Sequence, residues 1–255
     1  MYTERTPFYL ISVIFLLTTI ILSFVTTFNM KKNISDYFPE GGNHVIHKNG
    51  KIKVRYINDS NVIDKLCWYF SQLTHHTLFY LLIYFFMALI NKRSERFFKM
   101  IGPLSLTVSV MYFCYLFPKQ KLKLHQLSFY NFFSHFMIIF LVFCEFLYID
   151  TYHFHETTNC FFLIISSVLF VYINYYLRRV WSYNLLSLDT FNGWKLVSIT
   201  TLLMYIFSLM FYIIKFKNKT FYGFNNIEWS KCSYSLYGLI NILYFLIFTL
   251  YNDNI

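Results

Sequence analysis

Long apolar runs recur along this chain of 255 residues, and each is about as long as a helix that crosses a bilayer. Hydrophobic residues make up 57% of the chain, whereas charged residues make up only 13%. That is too little charge to cover the surface of a soluble globule. The sequence therefore predicts an all-α fold, a polytopic transmembrane helical bundle.

Seven runs are predicted to be spans within a single integral membrane domain, 1–255. They cover about 8–28, 68–90, 101–117, 126–149, 160–177, 195–214 and 233–251. The hydrophilic loop 29–67 separates the first span from the second. Because the first run is long and lacks a clear small-x-small cleavage site, we expect a retained span there rather than a signal peptide.

The net charge of +10 is carried mostly by residues in short loops between the apolar runs. The basic loop NKRSERFFK, 91–99, is predicted to lie in the cytosol, with the N-terminus on the same side and the loop 29–67 outside or in the lumen. Basic loops of this kind favour anionic lipid headgroups. The pattern predicts membrane lipids as partners, no nucleic acid, and a location in the endoplasmic reticulum or the plasma membrane.

Polar side chains interrupt the apolar stretch YNFFSHFMIIFLVFCEFLY, 130–148. Asn131 and His135 are four residues apart and so share one face of a helix. Glu145 lies about 40° from Asn131 around the axis, near the far end, and His135 lies about 14 Å deep. An ionisable residue is costly at that depth, so a functional role is one hypothesis and a helix–helix hydrogen bond is the other.

Hydroxyl groups recur in the second span at Ser71, Thr74 and Thr77. The second and fourth spans are predicted to begin on the same membrane face, so Ser71 or Thr74 can share a layer with His135. A neutral imidazole at that level can act as a base for a hydroxyl nucleophile. The alternative is that each hydroxyl only donates a hydrogen bond to a carbonyl of its own helix.

A metal site is a weaker hypothesis. The pairs His75-His76 and His153-x-His155 resemble parts of the clusters of membrane di-iron enzymes, but complete His-x-x-His-His boxes are absent from the sequence. The two pairs are also predicted to lie near opposite faces. The five cysteines form no Cys-x-x-Cys pair and are predicted to be small buried apolar residues. The sequence therefore predicts no metal and no other cofactor.

Residues 65–216 resemble the androgen-induced gene 1 / androgen-dependent TFPI-regulating protein family of multi-pass membrane proteins. The spacing of Asn131, His135 and Glu145 is the spacing of the family's fourth helix. The stretch GPLSLTVSVMYFCYLFPK, 102–119, is similar to its third helix. The stretch VWSYNLLSLDTFNGW is similar to the segment after its fifth helix, except that Asn184 stands where the family has a proline.

This resemblance implies six family-like spans, with 233–251 as a seventh, and a hydrolase of lipid esters such as fatty acid esters of hydroxy fatty acids. Ser71 would occupy the place of the family's threonine nucleophile, or Thr74 after a shift of three residues. His135 would be the base, Asn131 would orient it or stabilise the oxyanion, and Glu145 would be a structural partner. The alternative is a non-catalytic protein, either transporter- or receptor-like or a degenerate relative.

Overall fold

The computed structural model describes residues 5–28, 44–46, 52–54, 62–116, 118, 132–178, 188 and 191–218. Its helices are α1 (Thr6–Phe28), α2 (Val62–Phe70), α3 (Leu73–Leu89), α4 (Glu95–Met111), α5 (Ile138–Leu147), α6 (Phe161–Arg178) and α7 (Phe191–Asn218). A short antiparallel hairpin, β1 (His44–Ile46) and β2 (Ile52–Val54), falls within the predicted loop 29–67. The described architecture is otherwise helical.

Three short turns of other helical types adjoin these helices. A π-helical turn, Tyr112–Leu116, continues α4, and a second, Phe133–Met137, leads into α5. A 3₁₀ turn, Phe154–Thr158, precedes α6. Single π-helical turns within helices occur frequently at functional sites, because they re-aim side chains that a regular helix would direct elsewhere.

Four helical segments in the described part of the chain are long and apolar enough to cross a membrane. They are Thr6–Thr26, Glu95–Leu116, Phe154–Tyr176 and Phe191–Lys215. Two further apolar helices, Leu73–Leu89 and Phe133–Leu147, are shorter. The predicted helical architecture with apolar helices of membrane-spanning length is therefore confirmed, whereas six or seven spans are not: the described residues contain four such helices, and the predicted span 233–251 lies outside them.

The second predicted span differs from its expectation. The sequence predicts one continuous helix over 68–90, but the structure divides it into α2 and α3 at Ser71 and Gln72. Gln72 has an extended backbone, with φ −93° and ψ 125°, so the helical hydrogen-bond ladder stops and restarts there. Backbone carbonyls at the end of α2 thereby lose their regular helical partners inside an apolar region.

Helix α4 is the centre of the bundle and is buried along almost its whole length. It packs against α3, α5, α6 and α7, and α1 packs along α3. Large apolar side chains cover the outward faces of α1, α6 and α7, among them Ile11, Ile14, Leu17, Phe162, Ile165, Leu169, Leu202, Ile206 and Ile213. Apolar groups facing outward and a tightly packed interior are what a lipid environment demands.

The turn between α3 and α4 is specified locally. Asn91 takes the left-handed conformation, φ 60°, that ends a helix, and the Ser94 hydroxyl accepts a hydrogen bond from the backbone N–H of Phe97 to cap α4. This turn brings Arg93 back over the bundle, where its Nε lies 2.7 Å from Oε1 of Glu145.

Arg93 and Glu145 belong to a set of side chains in ion-pair contact that we call the charged layer, completed by Glu95, Lys99 and Glu156. Arg93 Nη1 lies 3.1 Å from Glu95, and Lys99 Nζ lies 2.8 Å from Glu156. Burial opposes the positive charge of Arg93, but its hydrogen bond to Glu145 and the neighbouring acidic groups outweigh that effect and raise the pKa of Arg93. Arg93 therefore stays positively charged, and the ion pairs of the charged layer join the segments at this end of the bundle.

Candidate functional site

A cavity of about 120 Å³ lies at the other end of α3, away from the charged layer. One water molecule needs only about 10–15 Å³ of such space, so the cavity has room for a segment of a larger molecule. Most of its wall is apolar. Its polar lining residues are Ser71, Thr74, His76, His135, Ser167 and Thr200, and its apolar ones are Leu73, Val108, Met111, Tyr115, Leu116, Ile164, Val168, Val171, Leu188, Leu196 and Val197.

The break between α2 and α3 places two hydroxyl groups on this wall. Ser71 is in the turn itself and is almost fully buried, and Thr74 is in the first turn of α3. Thr77, one turn later, donates its hydroxyl to the Leu73 carbonyl at 2.9 Å. Within the described residues the structure records no such bond for Thr74, because its fourth preceding residue, Phe70, lies across the break.

Two imidazoles donate hydrogen bonds to backbone carbonyls at the end of α2, next to the break. His75 Nδ1 donates to the Tyr69 carbonyl oxygen at 2.7 Å, and its ring stacks on the Tyr69 ring with 3.8 Å between centroids. His76 Nε2 donates to the carbonyl oxygen of Phe70. The last carbonyls of a helix have no partner within the helix, and leaving them bare in an apolar interior is costly. The adjacent histidines therefore act as side-chain caps for α2.

His135 reaches the cavity from the π-helical turn before α5. Its ring lies flat on the Tyr112 ring, with 3.7 Å between centroids and 3° between planes, so two π-helical turns meet at this contact. His135 is only 5% exposed, and its Nδ1 has no hydrogen-bond partner among the described residues. A buried imidazole without a full set of hydrogen bonds is destabilising, which makes a role in binding or proton transfer a reasonable hypothesis.

Three of the five residues predicted for the site share this cavity wall: Ser71, Thr74 and His135. Glu145 does not. It lies in the charged layer, where the Tyr84 hydroxyl and Arg93 both donate to its Oε1. Asn131 falls outside the described residues.

The polar residues that α6 and α7 contribute to the cavity, Ser167 and Thr200, were not among those predicted from the sequence. His76 was predicted only as part of a weak metal-binding pattern. The signal for His76 was the His-His pair itself, since two adjacent imidazoles in an apolar run need hydrogen-bond partners. Nothing in the sequence distinguishes Ser167 from its neighbour Ser166.

The described residues contain no group of three or more His, Cys, Asp or Glu side chains that could hold a metal ion. His75 and His76 are engaged with backbone carbonyls at the cavity end. His153 and His155 stack on each other at 5.6 Å beside the charged layer, at the opposite end of the bundle. The two pairs therefore do not converge.

The geometry permits one type of chemistry in particular. Hydroxyl groups and imidazoles face a largely apolar space, and a hydroxyl that loses its proton to an imidazole can attack an electrophilic carbonyl carbon.

Comparison with known proteins adds no assignment, because no family model, no curated protein and no solved structure matches this chain.

Proposed function

We propose that the protein is a multi-pass membrane hydrolase that cleaves lipid esters at the cavity beside the helix break. The observation that carries the proposal is that Ser71, Thr74 and His135, the residues predicted from the sequence as nucleophile and base, line one cavity. These residues come from two separate apolar runs, and the same cavity offers an apolar chain a place to bind.

In the proposed reaction a hydroxyl, that of Ser71 or Thr74, attacks the ester carbonyl carbon and His135 accepts its proton. The proton passes to the departing alcohol, and the acyl group stays on the hydroxyl oxygen. Water then attacks the acyl-enzyme with the same imidazole as base and releases the fatty acid. No metal or other cofactor takes part in this scheme.

The cavity wall supports a substrate with an uncharged reacting centre. Its described lining contains no Lys, Arg, Asp or Glu side chain, and eleven of its seventeen lining residues are apolar. Such a surface fits an acyl chain with an internal ester better than a charged headgroup. Fatty acid esters of hydroxy fatty acids have this form. The proposed location is the endoplasmic reticulum or the plasma membrane, where such lipids would enter the cavity from the bilayer.

Thr74 and Ser71 differ in how their hydroxyls are held. The Thr74 hydroxyl has no carbonyl of its own helix to bind, which leaves it available for a substrate. Ser71 is 1% exposed and lies in the turn just before Gln72, the residue with the extended backbone. Both therefore stay in the proposal, and the experiment distinguishes them.

Labelling by a fluorophosphonate probe tests the proposal, because the probe reacts covalently with activated hydroxyls. Membranes containing the full chain, Ser71→Ala, Thr74→Ala or His135→Ala are compared at matched expression, with release of fatty acid from a hydroxy fatty acid ester as the second readout. We expect His135→Ala and one hydroxyl variant to lose both signals.

Thr77→Ala is the matched control, since Thr77 is on the same helix but its hydroxyl is engaged with Leu73. It should retain labelling and hydrolysis. Absence of both signals in folded wild-type protein would contradict the proposal and favour a non-catalytic membrane protein. The next measurement in that case is lipid binding.

A further inference from the structure

The cavity contains a second hydroxyl–imidazole pair, formed by Ser167 of α6 and His76 of α3. His76 Nδ1 lies 3.4 Å from Ser167 Oγ, and both side chains line the cavity. The two residues are 91 positions apart in the chain and come from different helices. Their contact therefore forms only when the helices of the bundle have assembled.

The hydrogen bonds of His76 fix which ring nitrogen can act as a base. A carbonyl oxygen can only accept, so the Nε2 atom that binds the Phe70 carbonyl must carry the proton. In the neutral imidazole Nδ1 is then unprotonated, and it is this atom that faces Ser167. The Phe170 ring meets His76 edge to face at 5.1 Å and restricts its rotation.

Ser167 behaves differently from most helical hydroxyls in this protein. Ser12, Ser105 and Ser198 all donate to the carbonyl four residues earlier, at 2.7–2.9 Å. Its neighbour Ser166 donates to the Leu163 carbonyl at 2.9 Å. Among the described residues, the one hydrogen-bond partner that the structure records for the Ser167 hydroxyl is His76.

We propose that Ser167 is the attacking hydroxyl of the cavity and that His76 is its base, with the Phe70 carbonyl holding the imidazole. The arrangement has the three parts of an activated nucleophile: a hydroxyl, a base within reach, and a third group that orients the base. This inference rests on the proposed lipid ester hydrolase and changes the residues that carry out its chemistry. The helix break then has a function, because it frees the carbonyl that orients His76.

The proton and acyl transfers balance. Ser167 Oγ bonds to the ester carbonyl carbon as its proton moves to His76 Nδ1, and the C–O bond to the alcohol breaks as that proton moves to the departing oxygen. Water next attacks the acyl carbon, giving one proton to Nδ1, and the C–O bond to Ser167 breaks as Oγ takes the proton back. The sum is ester plus water giving acid plus alcohol.

The test locates the fluorophosphonate adduct in the full chain in membranes by peptide mass spectrometry. The probe forms an oxygen–phosphorus bond and releases fluoride, so the modified residue is identified directly. Ser167→Ala is compared with Ser166→Ala, a change of the same size one position away. We expect the adduct on Ser167, and a loss of labelling rate and hydrolysis of at least about 1,000-fold in Ser167→Ala but not in Ser166→Ala, since deletion of a serine nucleophile can cost about 10⁶-fold.

His76→Ala should lose the same signals, but it also removes a cap of α2 and could fail to fold. The adduct position and the serine pair keep the proposal testable in that case. An adduct on Ser71 or Thr74 with full activity in Ser167→Ala would overturn the Ser167 assignment and leave the proposed hydrolase intact. No adduct and no hydrolysis in folded wild type would overturn both.

Discussion

At one end of α3, Arg93, Glu145 and Tyr84 bind one another, whereas at the other end His135 and Thr74 face a cavity. Glu145 is fully buried, yet its Oε1 accepts from two donors. His135 is almost equally buried, yet its Nδ1 has no partner in the described part of the chain. At the first end the charged groups pair with one another, although Oε2 of Glu145 has no partner among the described residues, whereas at the second end Nδ1 of His135 is left available at a cost in stability.

Removal of one charge from the charged layer should give the largest loss of stability. In Glu145→Ala, Arg93 and Tyr84 lose their shared acceptor inside the protein, and breaking such a buried pair costs about 3–5 kcal/mol. Thermal unfolding in detergent measures the effect. Glu95→Ala removes the more exposed carboxylate beside Arg93 and should cost only about 0–1 kcal/mol. Equal losses of stability in Glu145→Ala and Glu95→Ala would contradict the distinction between a buried and a more exposed carboxylate.

Removal of a helix cap at the cavity end should cost less. In His75→Ala the Tyr69 carbonyl loses its short hydrogen bond and keeps only the 3.4 Å one from the Gln72 backbone N–H, so the loss should be about 0.5–1.5 kcal/mol, the net value of one hydrogen bond. Thermal unfolding again measures the change, with His155→Ala, an exposed histidine, as the control. Unchanged stability of His75→Ala would show that the Gln72 N–H or a water molecule is enough to satisfy the Tyr69 carbonyl.

A change at His135 should separate stability from activity. His135→Phe retains a flat ring against Tyr112 and removes the nitrogen that lacks a partner, so the free energy of unfolding should change by no more than about 1 kcal/mol, in either direction. Hydrolysis of the lipid ester should fall sharply where His135 is the base of the reaction, whereas it should be retained where His76 serves Ser167 as the base. If the variant unfolded as readily as Glu145→Ala, His135 would be a structural residue, and the contrast between the two ends would disappear.

The smallest effect is expected for a hydroxyl that only bonds its own helix. Thr201 is buried and donates to the Val197 carbonyl at 2.8 Å. Thr201→Val keeps the shape of the side chain, and the loss of stability should be about 0.6 kcal/mol or less, a typical value for hydrogen bonds within membrane proteins. A larger loss, measured by thermal unfolding, would mean that such bonds are structural elements of the bundle.

The long helices could be predicted well from the sequence. The expected span 8–28 is Thr6–Phe28 in the structure, and 195–214 falls within Phe191–Asn218. Each is an uninterrupted apolar run, and length and hydropathy are sufficient to find such a helix. The division of 68–90 could not be found in this way, because neither Gly nor Pro marks it and its caps are side chains further along the chain.

The candidate site was predictable only in part. Counting membrane crossings was enough to bring Ser71, Thr74 and His135 to one layer, since that count depends only on the order of the runs. The pairing of His76 with Ser167 depends on how α3 and α6 are rotated about their axes. Rotation is set by packing between helices, and a uniformly apolar run gives little indication of which side faces its neighbours.

The helix break also affects the order in which the protein assembles. His75 and His76 reach carbonyls only six residues behind them, so both caps can form within one short segment of a newly made chain. Arg93 and Glu145 are 52 residues apart, and their bond must wait until a later part of the chain has been synthesised. The helix break at Ser71 can thus form from local interactions between α2 and α3. The helices that are synthesised later then pack against a pair of helices whose relative orientation is already set.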